Sequence, residues 1–141
     1  VIDGGYTGRI TGVNTDLLQL LMEANYAPIV SPVALSEEYE PLNVDGDRTA
    51  ASIAGALRAD RLVLLTDVEG LLIDGKVMSK LRLVAAKELL PGIGPGMVTK
   101  VHAAIEALEL GVKEVVITSG MVQTPISSAV NHNVGTVIWN G

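Results

Sequence analysis

Along this chain, continuous apolar runs alternate with stretches where apolar residues recur every three or four positions. The glycine-rich start, DGGYTGRITG, reads as a turn or hairpin. Over residues 14–24, Leu17, Leu18, Leu21 and Met22 share one side of a helix that Asn14 or Thr15 can cap. APIVSPVAL then predicts a strand, with Pro28 and Pro32 confined to its ends or to an edge because they lack an N–H. A helix is expected over residues 48–57, with Ala50, Ile53, Ala54 and Leu57 on one face. Ala51 and Gly55 are small enough to let that helix approach a sheet closely. RLVLL at 61–65 is a short apolar run of the kind buried on both faces in a parallel sheet. TDVEGLLIDGKVM predicts a strand end and a hairpin turning at Asp74-Gly75. Helices follow over 83–90, stopped by Pro91-Gly92, and over 97–110, ended by Gly111. In the second of these, Met97, Val101, Ala104, Ile105 and Leu108 form the stripe. EVVIT, a short helix over 126–131 and the strand GTVIW complete the chain.

Such alternation predicts an α/β three-layer sandwich with a mainly parallel sheet. Ligands of these sheets gather beyond the carboxyl ends of the strands. That rule singles out Thr66-Asp67, Thr118-Ser119-Gly120 and the loops that open the following helices.

With 141 residues, the chain suits one domain. Phe is absent and Trp occurs once, so the core must come from Val, Leu, Ile and Ala. A net charge of −6 argues against a general grip on nucleic-acid phosphates. The lack of cysteine excludes disulfides and thiolate metal sites. No apolar run reaches the ~18–20 residues of a membrane span, and no leader pattern is seen, so a soluble, cytoplasmic protein is expected. VIDGG begins without methionine and reads like the second half of a strand, which suggests that an N-terminal portion precedes it.

GIGPGMVTK places three glycines and a proline before a helix, leaving backbone N–H groups free to face an anion. Lys100 then falls in the first helical turn, where the helix dipole disfavours a cation by about 0.3–1 kcal/mol, and no acid in that turn offsets it. A bound polyanion would make that position favourable; the other reading is a plain junction with a solvated lysine. The spacing does not fit a P-loop, because Gly96 and Lys100 are not adjacent. In NVDGDR, Asp47 can cap the helix that starts at Arg48, leaving Asn43 and Asp45 to turn chemistry. Alternatively, Asp47 lies near Lys100 and orients it. Asp67 can bind a ribose hydroxyl or merely close a turn. His102 reads as a surface or packing residue and His132 as a loop or helix end. With no third ligand beside them, a metal site is not expected.

GYTGRITGVNTDLLQLL, PLNVDGDRTAASIAGALRADRLVLLTDVEGLL and GPGMVTKVHAAIEALELGV stand in this order and at fitting spacings. Together they resemble the C-terminal half of the amino acid kinase family, in its acetylglutamate kinase branch, across essentially all of the chain. The resemblance implies a carbamate kinase-like fold, a nucleotide-binding lobe and an absent N-terminal substrate lobe. It further implies ATP, with Mg²⁺, as phosphoryl donor and the side-chain carboxylate of an N-blocked amino dicarboxylate as acceptor. By the same resemblance, Asn43 contacts the substrate and Asp47 organises the lysines. Lys100 stabilises the nucleotide's phosphates, Thr66, Asp67, Gly70 and Leu71 line the nucleotide pocket, and Gly94, Gly96 and Met97 close over it. LNVDGDR is similar to kinases whose acceptor is 2-aminoadipate or glutamate carried on an amino-group carrier protein, whereas acetylglutamate kinases more often read Asn-Val-Asn-Ala-Asp. A homo-oligomer is implied as well. The alternatives are another acceptor (a nucleoside monophosphate, glutamate or aspartate) or a nucleotide-binding module without catalysis.

Overall fold

The structure is a computed structural model that describes residues 6–141. The strand-like start expected at VIDGG therefore lies outside the described residues. The remaining glycine-rich start forms no hairpin. Instead, Thr7 makes a single parallel bridge to Asn43, with Asn43 N–H donating to Tyr6 O at 2.7 Å and Gly8 N–H to Asn43 O at 2.8 Å.

Helix α1 spans Asp16–Glu23, and Asn14 Oδ1 accepts from Asp16 N at 3.0 Å. None of its residues is buried, so the apolar side formed by Leu17, Leu18, Leu21 and Met22 has no core beneath it among the described residues. The strand expected over APIVSPVAL is shorter than its apolar run. Only β1 (Val33–Leu35) pairs, antiparallel to a strand missed in the sequence, β2 (Pro41–Asn43).

The rest builds one αβα unit. Its helices are α2 (Gly46–Ala56), α3 (Leu83–Leu89), α4 (Met97–Glu109) and α5 (Pro125–Val130). A four-stranded sheet holds β3 (Arg61–Thr66), β6 (Lys80–Arg82), β7 (Glu114–Ser119) and β8 (Thr136–Trp139) in the order β3-β7-β8-β6. The β3–β7 and β6–β8 pairs are parallel and β7–β8 is antiparallel. The hairpin of β4 (Leu72–Ile73) and β5 (Lys76–Val77) turns at Asp74-Gly75 as expected. Strand β6 escaped the sequence reading because, as an edge strand, it buries only Leu81 between exposed Lys80 and Arg82.

Alternation along the strands decides the layers. Leu64, Val115, Ile117 and Ile138 join the main core with Ala51, Ala54, Val101, Ala104 and Leu108 from α2 and α4. Val116 and Val137 point to the other face, where Ala129 of α5 meets them. Gly55 was expected to face the sheet. It faces α4 instead: a Cβ there would lie 2.5 Å from Leu110 Cβ. No helix among the described residues is long and apolar enough to cross a membrane.

At the starts of β3 and β7 the register sets Arg61 opposite Glu114. Arg61 donates to the Glu114 carboxylate and, through Nη1, to Val130 O at 2.8 Å at the end of α5. His132 Nε2–H donates to Glu114 Oε1 at 2.8 Å. Burial pushes the Glu114 carboxyl up, but the hydrogen bonds from His132 and Arg61 outweigh it, and the pKa falls below its ordinary 4.5. A depressed carboxyl stabilises the fold above its unfolded pKa and loses that contribution as pH falls through the folded one. Glu114→Gln should therefore lower stability at pH 7 by about 1–2 kcal/mol. The gap from wild type should close as the pH falls below about 4.5. Urea titrations at neutral and acidic pH check this; a pH-independent gap assigns the loss to packing.

Candidate active site

Helices α2 and α4 pack side by side and run in the same direction, with Asp47 beside Lys100 at one end and Gly55 beside Leu110 at the other. Each leads through a short loop into a strand, α2 into β3 and α4 into β7. Their N-termini therefore sit at the carboxyl end of the sheet. There the register places Thr66 beside Ser119, and Gly120 N–H donates to Thr66 O at 2.8 Å. Two helix dipoles thus aim their positive ends at one edge.

Local sequence explains each helix start. Gly46 enters the first turn of α2, so the helix begins two residues before Arg48 and Asp45 is the cap: its Oδ1 accepts from Arg48 N at 2.9 Å. The expectation that Asp47 caps this helix is thereby corrected. Asp47 lies inside the first turn and its side chain is free for another partner. Helix α4 has glycine at its cap, Gly96 at φ 85°, with no side-chain cap and no acid in the first turn. A Cβ at Gly94 or Gly96 would meet nothing within 4 Å, so the loop's backbone is open to an incoming group.

Lys100 Nζ donates to both oxygens of Asp47, at 3.1 and 3.0 Å. The two side chains are only 18% and 24% exposed, which makes this a sheltered ion pair rather than a solvated surface contact. An ammonium has three N–H donors, so two bonds to Asp47 leave one for a ligand.

The other expected residues divide. Asn43 ends β2 with its side chain exposed and its backbone hydrogen-bonded to Tyr6 and Gly8. Thr66 Oγ1–H donates to Asp67 Oδ1 at 3.1 Å, and Asp67 is exposed at the strand end. Gly70 is buried against Thr136, where a Cβ would come within 2.7 Å of Oγ1. Leu71 does not line an open pocket: it is 1% exposed within the core and donates its N–H to Thr136 Oγ1 at 2.8 Å. Met97 packs its side chain partly on the core. Thr136, which fixes the Asp67–Leu71 segment from a distant strand, had no signal in the sequence. His102 is exposed on α4 as expected.

A cavity of about 500 Å³ lies elsewhere, between residues 8–13 and the outer side of α2 and α4. Neither Lys100 nor Asp47 lines it. Its floor is the ion pair between Arg48 and Glu106, with Nε donating to Oε2 at 3.0 Å and Nη2 to Oε1. The guanidinium and the carboxylate of this pair satisfy each other.

The family model described as the amino acid kinase family matches residues 1–119. A LysW-aminoadipate/LysW-glutamate kinase of Sulfolobus acidocaldarius is 50% identical over 139 residues, covering 98% of this chain and 53% of that protein. The chain thus spans about half the length of the curated relatives it matches. Among solved structures, N-acetylglutamate synthase from Neisseria gonorrhoeae, complexed with coenzyme A and L-arginine, superposes with a TM-score of 0.91 at 28% identity, over 100% of this chain and 35% of that one. Carbamate kinase from Giardia lamblia bound to citric acid gives 0.70 at 26% identity, over 87% of this chain and 42% of that one.

Proposed function

The chain belongs to the amino acid kinase family, and from that premise we propose that the whole protein transfers the γ-phosphoryl group of ATP to a side-chain carboxylate, making an acyl phosphate. The acceptor is an N-blocked amino dicarboxylate. Carrier-protein-linked 2-aminoadipate or glutamate is favoured by the LNVDGDR segment and by the name of the Sulfolobus relative. N-acetylglutamate is the simpler analogue. The protein then serves lysine or arginine synthesis, in the cytoplasm and as a homo-oligomer.

One observation carries the reading: the sheltered Lys100–Asp47 pair stands at an uncapped, glycine-opened helix start. A carboxylate is ionised at neutral pH, so its attack on γ-phosphorus needs no general base. One acceptor oxygen forms the new P–O bond as the bond to the ADP oxygen breaks, and the electron pair leaves with ADP. What remains is positioning and neutralising charge. Lys100 offers its third N–H to the phosphates, and Asp47 holds that ammonium in place. The backbone around Gly94 and Gly96 approaches the phosphates without hindrance, Thr66, Asp67 and Gly70 flank the nucleotide, and Asn43 reaches toward the acceptor. Met97 supports that loop from the core side. Among the described residues, no three His, Cys, Asp or Glu side chains cluster to hold a metal. In this reading Mg²⁺ would arrive on the nucleotide's phosphates and keep several of its waters.

The test supplies the whole protein with ATP and each acceptor in turn, trapping acyl phosphate with hydroxylamine while ADP is followed. Hydroxamate formed with a carrier-linked acceptor faster than with N-acetylglutamate is the expected result. ATP binding without hydroxamate from any acceptor would leave a nucleotide-binding module and end the kinase reading.

A further inference from the structure

The contact between α2 and α4 poses a mechanical problem. Much of the buried surface of these helices is alanine: Ala51 and Ala54 on one, Ala103, Ala104 and Ala107 on the other. Side chains that short make shallow ridges, and ridges in grooves are what resist axial sliding. A slide of one helical turn is about 5.4 Å, enough to pull the 3.0 Å contact between Lys100 and Asp47 beyond hydrogen-bond reach.

We propose that Arg48 and Glu106 are positioning residues: their two-pronged ion pair fixes the register of α4 on α2 and so holds the Lys100 ammonium on Asp47. Arg48 directly follows Asp47 in α2, and Glu106 lies on α4 between Lys100 and the Gly55–Leu110 contact. Arg48 is itself anchored, because its backbone N–H is held by Asp45 and its carbonyl accepts from Ser52 Oγ at 3.0 Å. Glu106 receives both Nε and Nη2 of the guanidinium. A forked pair is directional, unlike a single-point ammonium contact. The side chains of this pair make no hydrogen bond to those of Lys100 or Asp47, so their effect on that contact passes through the placement of the helices.

The consequence for turnover rests on the kinase reading; the positioning itself does not. Arg48→Met, Glu106→Gln and the double variant are compared in the whole protein. Three readouts apply: kcat against KM for ATP, melting temperature, and the acetylation rate of the Lys100 amine, followed by mass spectrometry without substrates. Each single variant should lower kcat about tenfold with little change in KM, and should speed acetylation of Lys100. The double variant should be no worse than either single, because the two act as one unit. Unchanged Lys100 acetylation in both single variants overturns the proposal, as do single penalties that multiply in the double. Faster acetylation in a protein that turns over no acceptor would uphold the positioning while rejecting the kinase.

Discussion

Lys100→Ala in the whole protein is expected, under the proposed kinase function, to lower kcat by about 10²–10³-fold, the loss found when one preorganised donor to a developing charge is removed. The expectation follows from the ammonium's surroundings. Lys100 is 18% exposed and already aimed by two bonds to Asp47, so in the proposed transfer it would need no reorganisation as charge shifts toward the leaving oxygen. Folding should suffer far less. The Asp47 carboxylate left behind lies in the first turn of α2, where the dipole supports a negative charge by about 0.3–1 kcal/mol. Lys100→Arg is the informative companion: it keeps the charge but replaces a compact three-donor head with a planar fork, and should recover only part of the rate. Steady-state kinetics beside thermal melts separate the effects. Unchanged kcat in Lys100→Ala removes this residue from the chemistry, and a loss that merely tracks melting temperature returns it to a structural role.

Gly135→Ala is expected to destabilise the fold by about 2–5 kcal/mol, combining a left-handed backbone of about 1–2 kcal/mol with overpacking of about 1–3 kcal/mol. Gly135 has φ 86°, and a Cβ there would come 2.5 Å from Ile117 O, 2.7 Å from Thr118 Cβ and 3.0 Å from Thr118 Oγ1. Two of those obstacles are backbone and buried side chain at the centre of the sheet, so neither can swing aside. Thr118 is fully buried, so the turn into β8 leaves little room beside it. Against a typical total of about 5–15 kcal/mol, the change is severe. Gly12→Ala, where a Cβ meets nothing within 4 Å among the described residues, is the control and should change stability by less than about 0.5 kcal/mol. Equal melting temperatures for the two variants would refute the steric account.

Hydrophobic spacing revealed most of this architecture and only part of the site. The stripe Val101, Ala104, Ile105 and Leu108 marked α4 because each of these residues is buried. Runs such as EVVIT marked central strands because both faces are covered. Strand β6 stayed hidden because an edge strand with one buried residue has no period to read. The apolar run at 27–35 pointed to a longer strand than forms, since pattern reports the wish for burial and not the presence of a pairing neighbour. Lys100 stood out by chemistry alone, as a cation where the helix dipole disfavours one. Its partnership with Asp47 was legible as a possibility, but the assignment of the cap was off by two residues because Gly46 enters the helix. Arg48 and Glu106, 58 positions apart, left no trace in the sequence, since nothing local distinguishes a paired arginine from a solvated one.

Lys100 and Asp47 hang from different strand–helix units that meet through the β3–β7 ladder. The constellation therefore has a lifetime, set by whichever unit opens first. Amide exchange would show it: any excursion that frees the β7 amides from deuterium protection also dissolves the lysine–aspartate contact, so competence and cooperativity are one property here.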